Sequence, residues 1–363
     1  MKRAISESVR AAIEDAIGQG QTPGAVCFIG RGDDTICHEA VGHRSLVPRR
    51  LPMLPDTVFD LASLTKVVAT TTLVMQLAER GVLSIDDEVR SWLPSFSGDS
   101  RSRVTIRHLL THSSGLPAHV NYMDRLGEEV PRSERWRQVV DEICRLPSEY
   151  TPGESAIYSC LGFILLAAIV EKAAKECPTV LTRERIFAPV GMSDTGFCPP
   201  PKLFARCAST EQLPGGPLRG VVHDENARYL GGFGGNAGLF STAQDLARFA
   251  RTLLAGGEHD GARILNAESV EALFTEEPIR GGLRRCLGWR MARADDPCMH
   301  GAPTSHSIGH TGYTGTSLWL DRHTGLLVIL LTNRVHLGRD VEVEPLRRQI
   351  GRIAMELTEA YHA

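Results

Sequence analysis

The chain has 363 residues, of which 42% are hydrophobic, 23% charged and 6% aromatic; this balance excludes wholesale disorder and allows a sizeable core, in two or three folding units or one large domain with an insertion. Forty Lys plus Arg against forty-three Asp plus Glu leave a formal charge of −3, without the basic excess that holds nucleic acid or anionic membranes, so no nucleic-acid partner is predicted. The longest apolar run, Leu161 to Val170, is about half of the ~20 residues that span a bilayer, and no membrane span is predicted.

In chain order, the opening MKRAISESVRAAIEDAIGQG places Ile5, Val9, Ile13 and Ala16 on one helical stripe. Its acidic residues stand where a secretory signal would be apolar. Nine cysteines without a CxxC pair favour free thiols in a reducing compartment. The compartment predicted is the cytoplasm, or the periplasm if a signal has been removed. Ala25 to Gly30 and Thr35 to Val41 are β-favouring runs joined by Gly32-Asp33-Asp34, the pattern of a hairpin. Ser63 to Arg80 has helical spacing and ends at Gly81. Ile85 to about Lys175 reads as mostly helical, with Ile106 to Leu110, Trp136 to Arg145 and Leu161 to Lys175 as its clearest pieces. Residues 199–238 concentrate Pro and Gly and read as a long irregular connection. Helices follow at Ala243 to Leu254 and Ala267 to Phe274, then a strand pair at Ser317 to Leu320 and Leu326 to Thr332, then a helix at Val343 to Glu359.

Strands early, helices in the middle and strands with a helix late predict an α+β fold whose sheet combines both ends of the chain. On this plan residues 1–82 and 243–363 form the sheet domain, and 83–242 a mostly helical insertion with long loops.

Ser63-Leu64-Thr65-Lys66 stands where a loop turns into a helix. A serine in that first turn lies among unpaired backbone N–H groups, and a lysine three residues on shares its face, so hydroxyl and amine can meet. A serine hydroxyl becomes a useful nucleophile only with a base in reach, which a partly desolvated lysine can supply. The plain alternative is an N-cap serine followed by a surface lysine. Tyr158-Ser159-Cys160 and His310-Thr311-Gly312 follow in order. Supporting stretches are Phe59-Asp60-Leu61-Ala62 before the serine, Ile106 to Leu116 (IRHLLTHSSGL), Pro152-Gly153-Glu154, Ala237 to Thr242 (AGLFST) and Gly309 to Gly315 (GHTGYTG).

These segments, over nearly the whole chain, resemble the ordered motifs S-x-x-K, Y-x-N or S-x-N, and K-T-G of the serine β-lactamase and penicillin-binding protein superfamily, in its class C β-lactamase-like branch. The resemblance implies an antiparallel sheet flanked by helices, with the active site between the sheet and a helical insertion. It implies Ser63 as acylated nucleophile, Lys66 as its electrostatic partner and Tyr158 as general base. The backbone N–H groups of Ser63 and Tyr313 would form the oxyanion hole, and Cys160, His310, Thr311 and Gly312 would contact substrate. Tyrosine, with a reference pKa near 10, can act as a base at neutral pH only if positive charge such as that of Lys66 lowers its pKa. Whether Lys66 or Tyr158 takes the serine proton stays open at this point.

Two positions depart from the pattern. Cys160 replaces the carboxamide of Y-x-N, and its place before an apolar run favours a packing role over a reactive thiol. His310 replaces the lysine of K-T-G and, with a reference pKa near 6.5, would be partly charged at neutral pH, so that substrates bearing a carboxylate should gain as pH falls. Other constellations are weaker. His300, His306 and His310 lack any recognised metal spacing, so no metal is predicted. Gly232 to Ala237 fits G-x-G-x-x-A but follows no apparent buried strand, which argues against a dinucleotide and for a turn-rich loop. G-x-S-x-G and Walker A motifs are absent.

The function predicted is a serine hydrolase without cofactor that forms an acyl-enzyme at Ser63 on an ester, a β-lactam or a D-amino-acid peptide bond. Its partner is a small molecule or short peptide. The alternatives are a true class C-like β-lactamase or DD-carboxypeptidase, recognised by turnover of the penicilloyl enzyme, and a non-catalytic binding protein on the same fold, whose Ser63 would be inert.

Overall fold

The computed structural model describes residues 1–98, 101–279 and 284–359. Among them run fourteen strands. The first four are β1 (Gly24–Arg31), β2 (Asp34–Ser45), β3 (Leu51–Pro52) and β4 (Phe59–Asp60). In mid-chain lie β5 (Gly196–Phe197), β6 (Ser209–Leu213), β7 (Gly216–Arg219), β8 (Leu239–Ser241), β9 (Glu258–His259) and β10 (Ala262–Arg263). The last are β11 (Arg290–Met291), β12 (Ile308–Thr311), β13 (Ser317–Asp321) and β14 (Leu326–Thr332).

Seven of these form one antiparallel sheet in the order β11-β12-β13-β14-β1-β2-β3, so its central pair joins the two ends of the chain, as the pattern predicted. Gly32 and Asp33 make the β1–β2 turn, with Arg31 opposite Asp34. Gly32 has φ of +52°, the left-handed conformation such a turn demands. Successive side chains of a strand point to opposite faces. Ala25, Cys27 and Ile29 accordingly join a cluster with the helices Lys2–Gly18 and Glu344–Glu359, while Val26 and Phe28 join the larger core that holds Leu246, Phe249 and Leu253 of the helix Ala243–Leu254. Both faces are covered, which is why β14 reads as the unbroken apolar run LLVILL rather than an alternating one.

The stripe of the first helix, Ile5, Val9, Ile13 and Ala16, is buried throughout. The helices Ala243–Leu254 and Ala267–Phe274 coincide with their predicted bounds. The predicted helix after Ser63 is present but begins with a wide π turn, Lys66–Thr71, before the regular Thr72–Glu79. The helix Cys160–Ala174 packs beside it and buries every residue from Leu161 to Val170, and the helices Ile106–Leu110 and Arg132–Arg145 pack in turn against Cys160–Ala174.

Residues 199–238 need correction. They are not one irregular connection but carry the β6–β7 hairpin, turned at Pro214-Gly215, and the helix Glu225–Tyr229. The clustered Pro and Gly that suggested a loop are the turn residues of short elements. The chain between Phe274 and Ser317, given no element by its pattern, supplies β11 and β12 to the main sheet.

Candidate active site

Ser63 stands at the junction of β4 and the π turn. Ala62 before it adopts φ of +46°, unusual for a residue with a Cβ. Three contacts hold this turn. Asp60 Oδ1 accepts from the Ala62 N–H at 2.9 Å, Thr65 Oγ1 donates to the Ala62 carbonyl at 2.6 Å, and Thr65 Oγ1 accepts from the Leu239 N–H at 3.1 Å. The small sheet β4-β8-β5 thereby fixes the serine against the Ala237 to Thr242 stretch.

Lys66 is fully buried. Its Nζ donates to Ser63 Oγ at 3.1 Å, to the Asn236 carbonyl at 3.0 Å and toward Cys160 Sγ at 3.5 Å, and it lies 4.9 Å from the centre of the Tyr158 ring. Burial pulls the Lys66 pKa down, but the acidic Cys160 and Tyr158 beside it outweigh that and the net direction is upward, so the ammonium stays charged. Tyr158 departs from expectation. Burial pushes its phenol up by more than the Lys66 charge and the hydrogen-bonding approach of Lys66 and Ser63 pull it down. Lys66 therefore does not convert Tyr158 into a resting phenolate.

The Tyr158 ring is set by a residue that sequence reasoning gave no role. His112, at φ of +60°, lies against Tyr158 with ring centres 4.5 Å apart and accepts the Ser159 N–H at Nδ1, 3.1 Å away. Burial, reinforced by Arg285 and Lys66, takes its pKa well below the ordinary histidine value. Cys160 opens the helix Cys160–Ala174, whose N-cap is Ser159.

A cavity of about 580 Å³ opens above these groups, and Ser63, Tyr158, Cys160, His310, Thr311 and Tyr313 are in its wall. Gly312 is also at the wall. A Cβ there would come within 2.1 Å of Thr316 Oγ1 and 2.5 Å of the Leu61 carbonyl. The third segment is clamped from behind by the buried Arg347, whose Nη2 donates to the Gly312 and Thr316 carbonyls at 3.0 Å each. The side chain of Tyr313 is 48% exposed at the mouth and stacks on His223, with ring centres 5.5 Å apart.

The expected charge on His310 is also corrected. Its ring is 4% exposed, Nδ1 faces the Thr311 carbonyl at 2.8 Å and Nε2 has no partner. Burial, Lys66 and Arg285 depress its pKa well below the ordinary value, so it is neutral around pH 7. The fixed positive charge comes instead from Arg285 and Arg290, both in the cavity wall. Arg285 is 4% exposed; burial and the facing Arg290 lower its pKa only to about 10. Nothing in the sequence set these two apart from the other arginines, because their distinction is spatial: they sit opposite each other in a β-bridge.

The other sequence candidates separate. His300 pairs with Glu344 and His306 packs on the His323 ring at 4.8 Å, so neither meets His310. Gly232 to Ala237 follows a helix rather than a strand, and serves the site through the Asn236 carbonyl on Lys66.

The family model described as Beta-lactamase matches residues 9–352. An N-acetylmuramyl-L-alanine amidase of Bacillus subtilis (strain 168) is 31% identical over 344 residues, covering 86% of this chain and 78% of the relative. A solved class C beta lactamase from Rhodobacter sphaeroides superposes with a TM-score of 0.77, covering 98% of this chain and 100% of its own, at 21% identity. A beta-lactamase/D-alanine carboxypeptidase from Pseudomonas syringae gives the same score over 97% and 99%, at 20% identity. With its fold shared along nearly the whole length and a family match spanning both the sheet and the helices, the chain belongs to the Beta-lactamase family and is a serine hydrolase of the β-lactamase and penicillin-binding protein type.

Proposed function

We propose that this hydrolase works through an acyl-enzyme at Ser63 and prefers acyl substrates that carry a carboxylate near the scissile bond, as an open peptide terminus or a bicyclic β-lactam does. The observation that carries the nucleophile is the 3.1 Å contact between Ser63 Oγ and the buried Lys66 ammonium. As Ser63 attacks, its proton passes into the Lys66–Tyr158 pair, which acts as one acid–base unit because each group's charge shifts the pKa of the other. Among the described residues neither the Ser63 nor the Tyr313 N–H donates a hydrogen bond, which leaves both for the oxyanion.

The carboxylate preference rests on Arg285 and Arg290. Like charges directly opposite on paired strands repel, and a guanidinium with so little exposure is costly without a partner. Arg285 makes no side-chain hydrogen bond or ion pair among the described residues; its guanidinium carbon lies 5.8 Å from the centre of the Tyr158 ring, a contact that leaves its N–H groups free for an anion. A substrate carboxylate would relieve both costs. The amidase name of the Bacillus relative supports an amide over a simple ester as the bond cleaved.

Intact-mass spectrometry after exposure to a penicillin, a cephalosporin and short-chain p-nitrophenyl esters tests the reading. A covalent adduct mapped to Ser63, and absent from Ser63→Ala, is the expected result. Adducts on another residue, or none with any probe, would overturn it. An adduct that clears with turnover identifies β-lactamase activity; one that persists identifies β-lactams as inhibitors of a peptide or ester hydrolase.

A further inference from the structure

Nine cysteines are free in this chain, and six of them are buried. Cys177 and Cys198 are exposed at the surface away from the cavity wall. Cys160 differs from both groups, because it is half-buried and forms part of the cavity wall beside Ser63. Three sources of positive charge converge on its sulfur. The Lys66 ammonium is 3.5 Å away. His119, exposed at the mouth, hydrogen-bonds to the thiol. The residue is also the first of a fifteen-residue helix, where unpaired N–H groups and the helix dipole favour an anion.

Burial raises the thiol pKa, but Lys66 and the His119 hydrogen bond lower it by more, and Asp224 opposes them. The remaining titratable neighbour, Tyr158, stays a neutral phenol. A second and independent feature of the same cavity points to what would meet this sulfur. Arg285, 4% exposed, has no anionic partner among the described residues, and the buried His310 Nε2 has none of any kind.

We propose that Cys160 is a reversible S-thiolation site, at which a small disulfide bearing carboxylates forms a mixed disulfide that fills the cavity over Ser63. The sulfur of Cys160 attacks one sulfur of the incoming disulfide. The old S–S bond breaks, the new one joins Cys160 to half of the reagent, and the other half leaves as a thiolate that takes a proton from water. Cys160 is oxidised and the departing sulfur reduced, so no further oxidant is needed; a free thiol runs the exchange backwards. The carboxylates of the reagent are held by Arg285 and Arg290. The proposal rests on the reading of Ser63 only for its activity readout, since the adduct is observed directly.

Oxidised glutathione is the probe, applied to the full chain at pH 7 with acid quenching and peptide mapping. Cys160 is expected to be modified several-fold faster than Cys177 and Cys198, because Lys66 and His119 favour its thiolate while nothing comparable faces the two surface thiols. Fluorophosphonate labelling of Ser63 on the same sample should fall in proportion to Cys160 occupancy and return with dithiothreitol. The cationic disulfide cystamine should react more slowly than oxidised glutathione at Cys160 and no more slowly at Cys177. His119→Ala, a change at an exposed position, should slow the Cys160 reaction. Faster modification at Cys177 or Cys198, equal rates with the two reagents at Cys160, or full Ser63 labelling on chains occupied at Cys160 would each overturn the proposal. If the reduced chain takes no fluorophosphonate, the serine reading fails on its own, and the site-resolved rates still decide the fate of Cys160.

Discussion

An ammonium group shut away from water must have its three N–H bonds answered, and at Lys66 the partners are a hydroxyl, a carbonyl and a thiol. This arrangement makes Lys66 a fixed cation in the resting state and leaves Tyr158 as a phenol, so the proposed mechanism moves a proton within the pair rather than using a preformed base. Tyr158→Phe keeps the ring packed on His112 but removes the hydroxyl. It should lower kcat by ~100-fold or more, the scale for loss of a positioned acid or base, with KM changed far less. Near-normal kcat would assign the proton to Lys66 alone. The neutral state of His310 sets a second expectation. The ratio of kcat/KM for a carboxylate-bearing substrate to that for a neutral ester should stay flat from pH 6 to 8, because neither the imidazole nor the Arg285 guanidinium, with its pKa of about 10, changes charge in that window. Arg285→Gln should lower the same ratio about 10- to 100-fold, the worth of one charge-assisted bond. A ratio that climbs as pH falls toward 6 would restore the charge to His310.

Among the elements, β4 is only two residues long, yet it governs the site through Asp60. This buried carboxylate accepts the Ala62 N–H at Oδ1 and the His223 N–H, 2.6 Å away, at Oδ2, so one side chain ties the serine turn to the loop under Tyr313. Burial raises its pKa from 3.8 to about 6, against the opposing pull of those two N–H groups. The folded state therefore binds this proton more tightly than the unfolded chain does. The group is neutral toward stability below pH ~4, costs stability as pH rises, and reaches its full cost, on the order of 3 kcal/mol, above pH ~6. Urea midpoints of native and Asp60→Asn chains from pH 4 to 7 should differ in slope, with that component missing from the variant. Parallel slopes would show that Asp60 does not titrate in this range.

The same scale shows what a sequence conveys. Amphipathic helices such as Ala243–Leu254 were legible because each periodic side chain has one burial choice. Ser63, Lys66 and Tyr158 were legible because their local motifs coincide with element starts. Arg285 and Arg290, His112 and the Asn236 carbonyl were not. Their meaning comes from β11 pairing with β12 and from a glycine loop folding back on Lys66, contacts that no local pattern encodes. Strands β11 and β12 escaped because one is two residues long and the other, Ile-Gly-His-Thr, has no alternation to detect.

At the level of the whole molecule, the C-terminal helix covers the sheet face opposite the cavity and also sends Arg347 through to the third segment. Leu346, Ile350, Ile353 and Leu357 are buried there, and at roughly 1.5–3 kcal/mol each their loss approaches the entire ~5–15 kcal/mol that keeps a domain folded. Removal of residues 343–363 should abolish the cooperative thermal transition seen by circular dichroism, rather than yield a folded enzyme of lower activity. The pairing of Ala25 with Thr332 at the centre of the sheet also matters during synthesis. On a ribosome adding ~5–20 residues per second, β1 waits roughly 15 to 60 s for its partner β14. Through that interval its hairpin with β2 can close and the helix Lys2–Gly18 can cover one face, but its other edge stays open and the face holding Val26 and Phe28 lacks the helix Ala243–Leu254. The nascent chain thus carries a long-lived adhesive edge, and the yield of soluble enzyme should depend more on translation speed and chaperone supply than on the stability of the finished fold.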